Sequence, residues 1–313
     1  MYWKSLQGLP MGIASGNGRI EAKLVDIAAR EPLRVKEILV DEGALVKPGQ
    51  VLVRMDTVTL DSELAEANAA VQAAEEKLAG ARANIVKQKS EIDLADVEAE
   101  RSKRLVTQGA GSQRELDVRT TKVQTTKAGL SEVEAMLATA TQNVEVARLN
   151  AATVQTRIDD ATLRSPVTGR VLYRLAEPGE VLAAGGKALT LVNLDDIYME
   201  IFLPSDQAAA VKLGAEGRVT VDYLPKRAIA GQVSFVSPEA QFTPKQVETK
   251  SEREKLMFRV KIQLPKEVVG QYIERIKTGV RGVGYVKVKD SAVWPARLQN
   301  LVTAGPAVGS LTP

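Results

Sequence analysis

Apolar residues recur at every seventh position through two long stretches of the chain. In the first, Leu64, Val71, Leu78, Ile85, Ile92, Ala99 and Val106 keep the spacing, with Ala67, Ala74, Ala81 and Ala95 between them. In the second, Leu116, Val123, Leu130, Leu137, Val144, Ala151 and Ile158 repeat it, with Val133, Ala140, Ala147 and Val154 at the companion positions. Such a repeat keeps one seam of a helix facing a partner helix and winds the pair into a left-handed supercoil. The alanines let the two backbones approach closely. Neither stretch contains Pro, so the pattern predicts uninterrupted helices within about Thr57 to Asp160.

The pattern breaks at Gln108-Gly109-Ala110-Gly111-Ser112, where two glycines let the chain reverse. Ser112 with Glu115 three residues later has the spacing of a capping box, which predicts a new helix start. The break divides the region into arms of roughly 45 residues, about 70 Å at the rise of an α-helix. Matched arms joined by a short turn must pack antiparallel.

Alternating strands and glycine turns flank this region. Val35 to Leu52 and Gly169 to Gly186 form an internal repeat, in which Gly43, Val46 and Gly49 match Gly179, Leu182 and Gly185. Each half is too short to bury a core alone, so the two must join as one small β-sandwich. From about Asp195 the segments Tyr198–Leu203, Arg218–Tyr223, Gly231–Val236, Phe258–Leu264 and Tyr285–Val288 alternate apolar and polar residues, as strands of a small barrel do. Ser205-Asp206-Gln207 is placed to start a short helix reaching about Leu213, and Thr243 to Glu254 reads as a polar loop. Val293-Trp294-Pro295-Ala296-Arg297-Leu298 reads as a last short β segment, placed to pair with residues around Gly18 to Ile27.

Composition narrows the chemistry. The 313 residues suffice for about two average domains. The chain has neither Cys nor His, which removes disulfides, thiolate nucleophiles and the commonest general base and zinc ligand. Aromatics at 4% disfavour a large aromatic-rich core, and a net charge of +3 without a basic aromatic stripe sets nucleic acid aside. Gly185-Gly186-Lys187-Ala188 lacks the first glycine and the hydroxyl of a phosphate loop, and Gly16-Asn17-Gly18 lacks the third glycine of a dinucleotide fingerprint. Gly279, Gly282 and Gly284 fit a turn before a strand, and the acid pairs Asp159-Asp160 and Asp195-Asp196 fit element boundaries. No metal site, cofactor site or catalytic cluster is expected. No apolar run reaches the length of about 20 residues that spans a bilayer. The opening Met1-Tyr2-Trp3-Lys4 has the composition of a membrane boundary, consistent either with an anchor lost from the N-terminus or with an ordinary chain end.

The nested order of half β-sandwich, helical hairpin, half β-sandwich and barrel resembles that of the HlyD-type membrane fusion proteins, the periplasmic adaptors. Leu163-Arg164-Ser165-Pro166-Val167-Thr168-Gly169 is similar to that family's re-entry sequence after the hairpin. The two halves resemble lipoyl or biotinyl carriers, but Met55-Asp56-Thr57-Val58 lacks the Lys a carrier needs, so a carrier-domain enzyme is disfavoured. At the hairpin turn, Arg101, Leu105 and Ser112 have the spacing by which adaptors of TolC-type channels resemble one another, with Gly109 and Gly111 in the turn itself. Gly12 to Ala22, and Gly231 through Phe242-Thr243-Pro244 to Lys245, resemble adaptors of ABC-type exporters.

The resemblance implies an elongated multidomain α+β protein whose coiled-coil hairpin is inserted in a split lipoyl (barrel-sandwich hybrid) domain, followed by a β-barrel and a membrane-proximal β module. The expected domains are an N-terminal segment 1–19 after a missing anchor, a barrel of 20–31 with 195–290, a lipoyl domain of 32–56 with 163–194, the hairpin 57–162 and a membrane-proximal segment 291–313. The implied role is non-enzymatic: a hexamer in the periplasm, attached to the inner membrane, bridging an ABC-type exporter to a TolC-type outer-membrane channel. An adaptor for a proton-driven pump and a coiled-coil scaffold are the alternatives.

Overall fold

The structure, a computed structural model, describes residues 9–223, 226–241, 257–272 and 277–302. In chain order its elements are β1 (Ile13–Ala28), β2 (Leu33–Ile38), β3 (Leu45–Val46), β4 (Val51–Met55), α1 (Val58–Thr107), α2 (Gln113–Asp160), β5 (Thr162–Arg164), β6 (Gly169–Arg174), β7 (Val181–Leu182) and β8 (Lys187–Pro204). There follow α3 (Ser205–Ala208), β9 (Glu216–Val221), β10 (Ile229–Gln241), β11 (Met257–Gln263), α4 (Lys266–Gln271), β12 (Arg281–Lys287) and α5 (Ala296–Gln299). Two compact units result, Met55–Thr162 and the remainder of the chain.

The first unit is the hairpin. Helices α1 and α2 pack through the seven-residue seam, where Ile92, Ala95, Val144 and Ala151 are buried. Polar residues also enter the seam. Ser102 and Thr126 are buried, and the Gln88 amide donates to the Thr126 carbonyl at 2.8 Å. A Cβ on Gly129 would stand 3.0 Å from that same amide nitrogen, so the glycine leaves room for the Gln88 side chain. Four ion pairs cross from acids on α1 to bases on α2: Glu63–Arg157, Glu75–Arg148, Asp96–Lys127 and Glu98–Arg119, at 2.6–3.1 Å. Each partner is near half exposed, so each pair contributes under about 1 kcal/mol. Their descending partner numbers fix the antiparallel register. The capping box does not form. Ser112 occupies the N-cap without a side-chain hydrogen bond, and the Glu115 carboxylate is taken by Arg119 at 2.8 Å.

The second unit contains the internal repeat as a pseudo-twofold pair. Gly43, Gly49, Gly179 and Gly185 all have φ between 78 and 91°. Each half's turns bond to the other half. Gly43 N–H donates to Val171 and Gly179 N–H to Val35; Gly49 donates to Ser165 and Gly185 to Ala29. Every bond of the second set is the first set's counterpart across a constant offset of 136 residues (179 − 43, 185 − 49), with donor and acceptor halves exchanged. Val46 and Leu182, matched in the repeat, are both buried. The strands are shared between a four-stranded sheet, β5-β4-β2-β7, and the end of the larger sheet, where β3 pairs with β6 and β6 with β8.

The order β1-β12-β9-β10-β11-β8, closed by a β1–β8 pairing, makes a six-stranded antiparallel barrel. Strand β8 serves both parts. Ala188 to Val192 are buried without alternation, whereas Ile197, Met199, Ile201 and Leu203 alternate with half-buried neighbours and point into the barrel core. Strand β1 likewise pairs with β12 from Ile13 to Arg19 and with β8 from Gly18 to Ala28.

Several expectations change here. The barrel strand begins at Ile13 rather than near residue 20. Gly282 and Gly284 lie within β12, not in a turn, opposite Gly18 and Gly16 of β1. A Cβ on Gly18 would stand 1.9 Å from the Glu200 carbonyl oxygen, and one on Gly282 2.1 Å from that of Thr220. Close backbone approach, rather than chain reversal, selects these glycines. Asp195 and Asp196 lie inside β8, where Asp195 accepts from Thr168 N–H at 2.9 Å and Asp196 pairs with Lys23. Helix α3 stops at Ala208, and Pro204 rather than Ser205 is its N-cap. Residues 293–298 form no strand. Pro295 starts the short helix α5, whose Leu298 packs with Trp294, Tyr285, Ala228 and Ile13. Among the described residues of this segment only Leu301 makes a bridge, to Ala228, and β1 pairs with β12 and β8. The Met1–Lys4 opening, the Phe242-Thr243-Pro244 turn with Lys245, and the loop to Glu254 lie outside the described residues.

Candidate functional site

The hairpin turn is built by a specific helix ending. Gly109 N–H donates to Val106 and Ala110 N–H to Leu105, the bond pair of a Schellman motif around a left-handed Gly109 at φ 73°. The chain then folds back over the end of α1. A Cβ on Gly111 would meet the Val106 nitrogen at 2.8 Å and the Leu105 Cβ at 3.0 Å. Only glycine fits there without moving the turn. Ser112 follows in extended conformation and opens α2.

Arg101 and Leu105 stand one helical turn apart on α1, on one face. Leu105 is 43% exposed, although Val106 beside it turns toward the seam. Arg101 is exposed and makes no hydrogen bond or ion pair among the described residues. Ser112 is exposed, its hydroxyl unused as a cap. From Arg101 to Arg114 the chain carries Arg101, Lys103, Arg104 and Arg114 and no acid. The acids that bound this stretch are Glu100, exposed next to Arg101, and Glu115, which Arg119 holds together with Glu98. The turn therefore presents a guanidinium, an apolar side chain and a hydroxyl to solvent, in a positive field.

The sequence pattern also contains a feature that the seam obscured. Val86, Leu94 and Val97 are 54–65% exposed and lead up to Arg101 and Leu105 along the side of α1 away from α2. Their signal is a second apolar period on the same helix, out of phase with the first.

The four repeat glycines meet open space: nothing lies within 4 Å of a Cβ built on any of them. Their place is explained by backbone conformation, and no side chain converges on them. Two carboxylates near the junction of β1 and β8 are held below the usual range. Asp26 is lowered by hydrogen bonds from Lys187 and the Thr190 hydroxyl, each at 2.7 Å. Burial raises Asp196, but hydrogen bonds from Lys23 and Gln263 outweigh it. Among the described residues there is no acid cluster able to hold a metal ion, and no helix is long and apolar enough to cross a membrane.

Residues 77–147 match the family model described as the RND MFP alpha-helical hairpin domain. A UPF0194 membrane protein of Yersinia enterocolitica is 29% identical over 269 residues, covering 78% of this chain and 82% of that protein. A UPF0194 membrane protein of Enterobacter sp. strain 638 is 27% identical over a similar span, 78% of this chain and 81% of its own. Among solved structures, MacA from Actinobacillus actinomycetemcomitans superposes with a TM-score of 0.61 at 21% identity, covering 88% of this chain and 78% of MacA. A MacA–MexA chimera containing the Pseudomonas aeruginosa MexA hairpin reaches 0.51 at 17% identity, with 89% and 83% covered. The chain thus shares the fold of MacA and of the MacA–MexA chimera, and its hairpin matches the RND MFP hairpin model over residues 77–147.

Proposed function

We propose that the chain is the periplasmic adaptor subunit of a tripartite export system, joining an inner-membrane ABC-type exporter to a TolC-type outer-membrane channel. Its role is mechanical, with no reaction assigned to it. The observation that carries this reading is the hairpin turn: Arg101, Leu105 and Ser112 are together exposed, and the Arg101 side chain has no partner among the described residues. A guanidinium and an apolar side chain held free on a rigid helix end suit a groove between helices of another protein.

Six copies would stand side by side with their hairpins in contact. The apolar stripe of Val86, Leu94 and Val97 supports this, since it gives α1 a second face to bury. Six tips binding together turn modest contacts into firm attachment. Inner-membrane attachment would come through the N-terminal side of the chain. The sequence likeness of Gly12–Ala22 and Gly231–Lys245 to ABC-exporter adaptors supports that partner. The RND name of the matching hairpin model favours a second reading, an adaptor for a proton-driven pump. Copurification from membranes with an ATP-binding subunit, or with a proton-driven pump instead, decides between them.

The test of the tip is substitution. Arg101→Ala and Leu105→Ala should abolish export in a complementation assay while leaving helix content and melting unchanged. Retained export in either variant rejects the tip assignment.

A further inference from the structure

We propose that the barrel holds a binding site for a single-chain amphiphile with an anionic head group, at the barrel end beside α4. A cavity of about 460 Å³ lies there, within the range of about 300–1,000 Å³ typical of small-molecule sites. Its walls come from the ends of four barrel strands: Val221 closes β9, Ile229 opens β10, Leu264 follows β11 and Val280 precedes β12. Val268 and Val269 of α4 form its side.

The chemistry of the walls selects the ligand class. The apolar lining is branched aliphatic, which accommodates a flexible hydrocarbon chain without selecting a planar ring. Among the described residues polar side chains enter at three points, Tyr223, Tyr272 and Lys277. Lys277 is exposed, and Tyr223 is 63% exposed, so the hydrophilic groups lie toward water and the aliphatic ones inside. Among the described residues no carboxylate lines the cavity, and the one charged side chain there is the Lys277 ammonium. A ligand that matches this division has a hydrocarbon chain inside and an anion at the rim, within reach of an ammonium and phenolic hydroxyls. This site is independent of the hairpin turn, and its test leaves the tip assignment untouched.

The full chain is titrated with 11-(dansylamino)undecanoic acid, and the bound probe is displaced with octanoate, decanoate and dodecanoate below their micelle concentrations. The expected result is one probe per chain, with affinity rising roughly three- to fourfold per added methylene as each is buried. Val268→Trp, which fills the cavity from α4, should abolish probe binding. Lys277→Gln should weaken dodecanoate about tenfold and leave decanol unaffected. It replaces an exposed side chain, so it keeps the proposal testable even if Val268→Trp unfolds the barrel. Affinity independent of chain length, binding that survives Val268→Trp in a folded protein, or dodecanoate affinity unchanged in Lys277→Gln overturns the proposal. So does binding that appears only after residues 303–313 are removed, because the chain would then cover the cavity itself.

Discussion

The pseudo-twofold repeat makes a quantitative demand on its glycines. Gly43 and Gly179 occupy equivalent turns at φ 83 and 91°, and a Cβ at either position would touch nothing within 4 Å. Replacement by Ala therefore costs only the backbone term, about 1–2 kcal/mol for a left-handed non-glycine residue. The stiffer unfolded chain offsets part of that, by about 0.4–1 kcal/mol. The net loss should be about 1 kcal/mol at each site, equal for the two. For a unit of this size that lowers Tm by about 2–4 °C. Gly270 in α4 is the control. It too has open space around its Cβ position but no positive φ, so Gly270→Ala should raise stability by about 0.5–1 kcal/mol. One chemical change then has opposite signs at two uncrowded sites. Calorimetry of the full chain reads the transition of the β unit, and far-UV circular dichroism follows the helices, whose melting should not move. An undiminished Tm in Gly179→Ala would refute the backbone argument. A difference of more than about 1 kcal/mol between Gly43→Ala and Gly179→Ala would refute the equivalence of the halves.

Gly18→Ala should be far more damaging, by more than about 3 kcal/mol, because its Cβ would sit 1.9 Å from the Glu200 carbonyl oxygen; urea unfolding followed by Trp294 fluorescence measures it in a Trp3→Phe background. The depressed carboxyls of Asp26 and Asp196 stabilise the fold in their ionised forms. That stability is present above the unfolded carboxylate pKa of about 4 and is lost as pH falls through the lower folded values. Tm should therefore hold down to about pH 5 and drop below it, and Asp26→Asn should reduce the drop. Arg119→Ala frees Glu98 and Glu115 together, so it should lower hairpin stability by under about 1 kcal/mol and remove part of the salt sensitivity of its melting by circular dichroism.

The parts of the fold legible in the sequence are those set by local period and turn chemistry. The hairpin follows from its seven-residue repeat, and the turn from Gly109 and Gly111. What the period could not show is the polar part of the seam. Gln88, Ser102, Arg119 and Thr126 break an apolar rule, and only the facing helix reveals that Gln88 has the Thr126 carbonyl and the gap at Gly129 to enter. The barrel strands alternate and were readable, but Gly16, Gly18, Gly282 and Gly284 look like turn residues until the backbones that crowd them are in place. The C-terminal segment reads as β because Val293 and Trp294 are strand formers. Pro295 instead opens a helical turn, whose fate depends on the Tyr285 and Ala228 surface it covers. At the candidate site, residue spacing located Arg101, Leu105 and Ser112 near the turn. That Arg101 lacks a side-chain partner among the described residues is a fact of the folded hairpin, and that Glu115 serves Arg119 rather than a cap is settled one turn along α2 itself.

The central claim is that the hairpin turn meets an outer-membrane channel. Gly111 is a poor position for a probe, since any side chain there collides with Leu105 and Val106. Ala110 is exposed beside it, and the chain has no native Cys to compete. The decisive measurement places Cys at Ala110, expresses the chain in cells with its channel present, and applies a short thiol-to-amine crosslinker. The adaptor account predicts a crosslinked product with a TolC-type channel, lost when Arg101→Ala is added. Crosslinks to other copies of the chain alone, with the channel present, would contradict it.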